Sequence, residues 1–373
     1  MRKHRKKATS SESRHVTLKT VAERVGLTKG ICSAVLNKSA ASRSVPPHTQ
    51  ERILQAAREL NYRPSFYARN LGVKRTYMIG VVTQEIGDFY GSPIISGIER
   101  YLRQENYFFL TVAVRDNPQL LETYSHLLLD RGVEGLITID TLIDRPLPLP
   151  AIAIPGHRHV EGVTNIVLDH QKAACLALNH LNDLGHREIA FMKGSDESPD
   201  TEDRWKAVRE VAEELGIPVR EELTVQLEGR DATPNLGYPF AVQLLSRRRP
   251  FTALFAYNDI AAIGAILAFQ EAGLRVPEDV SVVGFDDIRI AVHNNPGLTT
   301  ISQPLQRMGE IAARTLLNRL EHPEDYVPEI AMEPELVVRK STAIASVRGS
   351  AGANSELSKH VFATCASRKS RNI

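Results

Sequence analysis

VTLKTVAERVGLTKGICSAVLN, Val16 to Asn37, holds two short helical patterns separated by a glycine. In the first, Leu18, Val21, Ala22 and Val25 recur at i, i+3, i+4 and i+7 and so share one face, and Thr17 stands where its hydroxyl caps the free N–H groups ahead of them. Gly26 permits a sharp bend. The second pattern opens on Thr28 as N-cap and directs Cys32, Val35 and Leu36 toward the first helix, which leaves Lys29, Gly30, Ser33 and Ala34 outward. A helix presented in this way fits the major groove of duplex DNA, where outward side chains reach base edges.

Ordinary helical cores show the same periodicity, and charge separates the two readings. Residues 1–75 carry 17 Lys and Arg against 4 Asp and Glu, whereas residues 76–339 carry 23 against 39. A chain of net charge +2 is therefore a basic head on an acidic body. The head is attracted to a polyphosphate and the body is repelled by it, as suits a small DNA-binding unit carried by a larger module.

At 373 residues the chain is long enough for a small domain and one or two of ordinary size. Its three cysteines, Cys32, Cys175 and Cys365, are widely spaced and form no C-x-x-C pair, which points to a reducing cytosol and away from a disulfide framework or zinc site. Neither a secretion signal nor an 18-residue apolar run is visible, so a cytoplasmic protein without a membrane span is expected. Residues 1–15 and 343–373, rich in Ser, Lys, Arg and Gly and without a period, are expected to be disordered tails.

Pro46-Pro47 opens a third helix whose stripe of Ile53, Ala56, Ala57 and Leu60 closes a three-helix unit over residues 16–64. Residues 65–76 follow as a linker in which Ser65 to Gly72 has the length of a two-turn helix, too short to be stable alone. From Tyr77 to residue 342 apolar runs alternate with amphipathic helices, the mark of parallel α/β sheets. Eight strands are expected, at Met78–Val82, Phe108–Val114, Gly135–Ile139, Ile152–Ile154, Ile189–Met192, Thr224–Leu227, Ala253–Ala256 and Val280–Phe285. So many strands suit two sheets side by side, with a ligand cleft at the strand C-terminal ends.

These landmarks, with Glu59-Leu60-Asn61-Tyr62-Arg63-Pro64, Leu184-Gly185-His186-Arg187, Asn258-Asp259 and Val282-Val283-Gly284-Phe285-Asp286-Asp287, resemble in order and spacing the LacI/GalR family of bacterial transcription regulators over residues 16–342. The resemblance implies an all-α helix-turn-helix headpiece, a hinge helix, and a homodimeric two-subdomain core like a periplasmic binding protein. It also implies no catalysis, cofactor or metal. The DNA-contacting residues it implies are Thr17, Thr28, Lys29, Gly30, Ser33, Ala34, Asn37, Tyr62, Arg63 and Leu71, the last as a minor-groove wedge. The operator-binding activity expected is that of a repressor, and the alternative is a solute-binding receptor without DNA function. Where the family usually has Thr and Arg the chain has Ile31 and Ala34, and about three extra residues lie in the Lys38–Ser44 loop, so the operator does not follow from the family's usual half-site.

Tyr90, Arg204, Asn258 and Asp286 match effector contacts of the family and suit a polyhydroxylated ligand of carbohydrate type. Asn258 and Asp286 also read as caps of the segments they open, and Trp205 as either a stacking face or a core aromatic. The family's frequent Asp-Arg pair is replaced by Pro155-Gly156. The chain has no G-x-G, P-loop, H-E-x-x-H or G-x-S-x-G, and His157 and His159 stand without a third ligand nearby, which leaves no enzyme motif to develop.

Overall fold

The computed structural model describes residues 16–62 and 75–346, apart from 116, 157, 199, 231 and 232. Arg63, Leu71 and the rest of the expected hinge helix, His157, and most of both expected tails lie outside these residues. Two compact units are formed, one up to Thr76 and one from Tyr77.

The first unit packs α1 (Leu18–Val25), α2 (Lys29–Leu36) and α3 (Pro47–Glu59) around Val21, Cys32 and Ile53, all fully buried. The Thr17 hydroxyl accepts from the Thr20 amide at 3.4 Å, and the Thr20 hydroxyl accepts from the Thr17 amide at 3.3 Å. This reciprocal box fixes where α1 starts. Gly26 ends it at φ 69°, a left-handed conformation that side chains with a Cβ disfavour. Arg52 of α3 donates to the Val25 carbonyl at 3.0 Å and so ties α3 to the end of α1.

The second unit has two six-stranded sheets. In the first lobe the order is β11-β5-β4-β3-β1-β2, built from β1 (Met78–Thr83), β2 (Phe108–Ala113), β3 (Gly135–Ile139), β4 (Ala151–Ile154), β5 (Val163–Leu168) and β11 (Glu329–Met332), all parallel. In the second lobe the order is β12-β10-β9-β8-β6-β7, from β6 (Ile189–Lys193), β7 (Thr224–Gln226), β8 (Ala253–Phe255), β9 (Ser281–Asp286), β10 (Thr299–Ser302) and β12 (Glu335–Val337). There only the β10–β12 pair is antiparallel. Helices α4 (Gly91–Gln104), α5 (Pro118–Asp130) and α11 (Leu305–Glu321) cover the first sheet. Helices α6 (His170–Asp183), α7 (Thr201–Glu214), α8 (Tyr238–Ser246) and α9 (Asp259–Glu271) belong to the second, with a short α10 (Arg289–His293). The chain passes between lobes three times, after β5, β10 and β11, at residues 169, 303–304 and 333–334.

Among the described residues twelve strands stand where eight were expected. β5 and β10 escape a search for apolar runs because Thr164, Asn165, Thr299 and Thr300 are buried within them, each with hydrogen-bond partners of its own. β11 and β12 are edge strands of four and three residues, largely exposed. The chain also stays ordered past residue 342. Ala343 accepts from His186 Nε2 at 3.0 Å and the Ala345 amide donates to Leu184 at 2.8 Å, so residues 343–346, expected in the tail, belong to the core.

Candidate nucleic-acid interface and effector cleft

The first turn of α2 is the free rim of the headpiece. Thr28 caps it by accepting from the Ile31 amide at 3.4 Å, and Lys29, Gly30 and Ile31 are exposed while Cys32 and Val35 point into the core. Ser33 and Ala34, expected to face outward, are half-buried. Ser33 accepts from Asn37 Nδ2 at 3.1 Å, and the Ala34 carbonyl accepts from the Ser39 amide at 3.0 Å, because the loop with the extra residues folds back over the second turn. Thr17 is exposed at the start of α1. Tyr62 packs half-buried against the headpiece core, and burial pushes its phenol above the ordinary range.

Between the lobes lies a cavity of about 120 Å³ at the C-terminal ends of the strands. All four expected effector residues, Tyr90, Arg204, Asn258 and Asp286, line it. The loop after β1 also supplies Gln84 and Asp88, β3 leads into Asp140, and the second lobe adds Ser198, Asp200, Arg230 and Tyr257. These seven were missed. Gln84 and Asp140 directly follow strands, which is the one local signal that would have found them.

Arg204 organises the second-lobe side. Its Nη2 donates to Asp200 at 2.5 Å and its Nη1 to the Tyr257 carbonyl at 2.7 Å, while its guanidinium carbon lies 3.8 Å from the centre of the Phe285 ring and 4.5 Å from that of Tyr257. Burial works against its charge, but the attraction of Tyr257, Asp200 and Asp286 more than offsets this and holds its pKa above the ordinary arginine value. Ser198 and Tyr257 share a hydrogen bond of 2.6 Å between hydroxyls. Burial raises the Tyr257 phenol to about 12 despite the neighbouring guanidinium.

Two of the carboxylates that line the cleft are tied to interlobe crossovers. Asp286, which has a positive φ of 107° at the end of β9, accepts from Gln303 Nε2 at 2.6 Å, and Asp200 pairs with His170 Nε2 at 3.1 Å. Burial pushes Asp286 up to about 7 against the pull of Arg204 and the Gln303 hydrogen bond. It pushes Asp140 up to about 6 against the pull of Arg230. The Tyr90 hydroxyl and Arg204 Nε are buried and make no hydrogen bond to the described residues.

Asn258 has a structural role as well, since its Oδ1 accepts from the Ala261 amide at 2.9 Å and caps α9. Among the described residues Asp286 makes no capping hydrogen bond, and Ile288 is the N-cap of the helix that follows. The neighbouring Asp259, fully buried, accepts from the Ile288 amide at 2.9 Å and the Thr300 hydroxyl at 2.5 Å. A Cβ on Gly284 would stand 2.2 Å from Asp259 Oδ1, so the glycine makes room for this brace. Trp205 does not line the main cleft. It packs edge-on against Phe191, with ring centroids 5.9 Å apart, as a core aromatic. Pro155 lines the cleft, and a Cβ on Gly156 would strike the Asn165 side chain. Among the described residues no cluster of three His, Cys, Asp or Glu side chains could hold a metal, and no helix is long and apolar enough to cross a membrane.

Residues 17–65 match the model for bacterial regulatory proteins of the lacI family, and residues 178–342 that for a periplasmic binding protein-like domain. The chain is 33% identical over 336 residues to the HTH-type transcriptional repressor PurR of Erwinia tasmaniensis, covering 88% of this chain and 97% of that protein. It is similar to the lac repressor dimer bound to operator and the anti-inducer ONPF, with a TM-score of 0.79, 29% identity, and coverage of 88% of this chain and 100% of that one. It is also similar to the transcriptional regulator CelR in complex with cellobiose, with a TM-score of 0.63, 28% identity, and coverage of 87% and 99%. A receptor without DNA function leaves the headpiece unexplained; with headpiece and core both matched, the chain belongs to the LacI family of DNA-binding transcription regulators with an effector-binding core, which are not enzymes.

Proposed function

We propose that this protein is a homodimeric cytoplasmic repressor whose operator affinity is set by a polyhydroxylated small molecule, of carbohydrate type, held in the interlobe cleft. The observation that carries the effector reading is the pair of buried, unpaired polar groups in the cleft, Tyr90 OH and Arg204 Nε, beside the acceptors Asp200, Asn258 and Asp286. A buried donor without a partner costs about 1–3 kcal/mol, and a hydroxyl-rich ligand supplies what each lacks. The ligand named for one similar structure, cellobiose, supports this class.

On the DNA side, Lys29 and Gly30 read the major groove from the exposed first turn of α2, with Ile31 offering an apolar contact to a thymine methyl. Thr17, Thr28, Ser33, Ala34, Asn37, Tyr62 and Arg63 position the headpiece on the backbone, and Leu71 wedges into the minor groove from a hinge within residues 65–76. The second copy covers the outer face of β2, an edge strand on which Phe108 is 69% exposed and Leu110 38%. Closure of the cleft changes hinge spacing and couples effector to operator by about 1–3 kcal/mol.

The test is fluorescence anisotropy of the full chain on fragments upstream of its own and adjacent genes, with and without a panel of mono- and disaccharides. Specific binding shifted by one sugar supports the reading. Binding that no sugar shifts removes the carbohydrate effector, and no specific binding to any fragment removes the repressor.

A further inference from the structure

Asp140 and Arg230 meet across the cleft from opposite lobes. Asp140 follows β3 in the first lobe and Arg230 follows β7 in the second. Arg230 Nη2 donates to the Asp140 backbone carbonyl at 3.0 Å and also pairs with its carboxylate. The pair is largely sealed from solvent, with side-chain exposures of 12% for Arg230 and 25% for Asp140. Asp140 has a positive φ of 51°, a left-handed conformation that aspartate adopts more readily than most side chains.

The electrostatic setting gives the pair its meaning. Asp88 and Asp200 lie close enough to disfavour a charge on Asp140, and Asp286, Tyr90 and Tyr257 face the same cavity. Arg204 is already engaged with Asp200 and the Tyr257 carbonyl. Among the described residues, Arg230 is the cation paired with Asp140. Removing one member of a buried pair strands the other charge, which is far more costly than the pair is worth as an attraction.

We propose that Arg230 is the counterion that allows the lobes to close at neutral pH, because closure buries Asp140 among other carboxylates and an unpaired Asp140 drives the cleft open. An effector must then leave this pair in place or become the partner of Asp140 itself. The inference rests on reading the cleft as the effector site, but its test needs no effector.

Interlobe distances in the full chain are measured by double electron–electron resonance, with spin labels on unnatural amino acids at the exposed positions Gln119 and Glu213 and dilution with unlabelled protein. At about pH 7.5 the unsubstituted residues 140 and 230 are expected to give one short-distance population and Arg230→Met a longer one, with Arg230→Lys restoring the short one. At about pH 5, where Asp140 takes up a proton, Arg230→Met is expected to regain the short distance. If Arg230→Met does not fold, the Asp140→Asn, Arg230→Met double variant, which leaves no charge to neutralise, is expected to be closed. An Arg230→Met distribution that superimposes on the parent at about pH 7.5, an Arg230→Lys variant as open as Arg230→Met, or an open double variant overturns the proposal. Sugar-shifted anisotropy is read on the unsubstituted chain and interlobe distance without any sugar, so failure here and failure of the proposed function are told apart.

Discussion

The carboxyl of Asp286 makes the stability of the core depend on pH in the direction opposite to that of an ordinary ion-paired aspartate. Burial raises it to about 7 in the folded protein, against a usual 3.8, with Arg204 and Gln303 opposing the shift. Between these two values the folded chain holds a proton that the unfolded chain has released, so stability is fully present below the lower value and falls as pH rises toward the upper one. From about pH 5.5 to about pH 7.5, a single site of this kind removes about 2 kcal/mol of unfolding free energy. Asp140, raised to about 6, adds a loss of the same sign over the lower part of that range. Asp286→Asn keeps an acceptor for Gln303 but cannot titrate, so the Asp286 share of the slope disappears while the rest remains. Urea denaturation followed by tryptophan fluorescence at the two pH values measures both slopes, since Trp205 lies in the core unit. Equal slopes in the parent and in Asp286→Asn would refute the burial argument, and a slope of the opposite sign would show that Arg204 outweighs burial.

Lys29→Ala is expected to lower operator affinity about tenfold and to relax specificity at the base pair it reads, which titration against single-base operator variants checks. Leu71→Ala is expected to weaken specific binding more than non-specific binding, as competition with random-sequence DNA measures, and equal losses would remove the wedge. Ile53→Ala opens a cavity among fully buried residues and costs about 2–5 kcal/mol, enough to unfold so small a unit. Calorimetry should then show an unchanged core transition in a protein that no longer binds DNA. Gly284→Ala drives a Cβ against Asp259 and is expected to lower the melting temperature of the core while leaving the headpiece transition of the full chain as it was.

The headpiece and most of the core were legible because local physics wrote them into the chain. Caps at Thr17 and Thr28, the glycine at 26 and the stripe of Ile53, Ala56 and Ala57 act over fewer than ten residues each, and the structure holds each of them in the role its spacing implies. Ser33 and Ala34 illustrate the limit. Helical phase alone points them outward, but their exposure depends on where the Lys38–Ser44 loop lies, and that is settled by the Ser39 hydrogen bond to Ala34, which no period encodes. The cleft shows the same limit on a larger scale. Arg204 and Asp200 are one helical turn apart, and their pairing was open to a reading by spacing. Asp140 and Arg230 are brought together by the sheet order and three crossings between lobes. Their distance in sequence carries no information about their contact. A carboxylate at a strand end is ordinary until the fold buries it, and it is burial, at Asp140 and Asp286 alike, that raises its pKa toward neutrality and makes its charge depend on the groups around it.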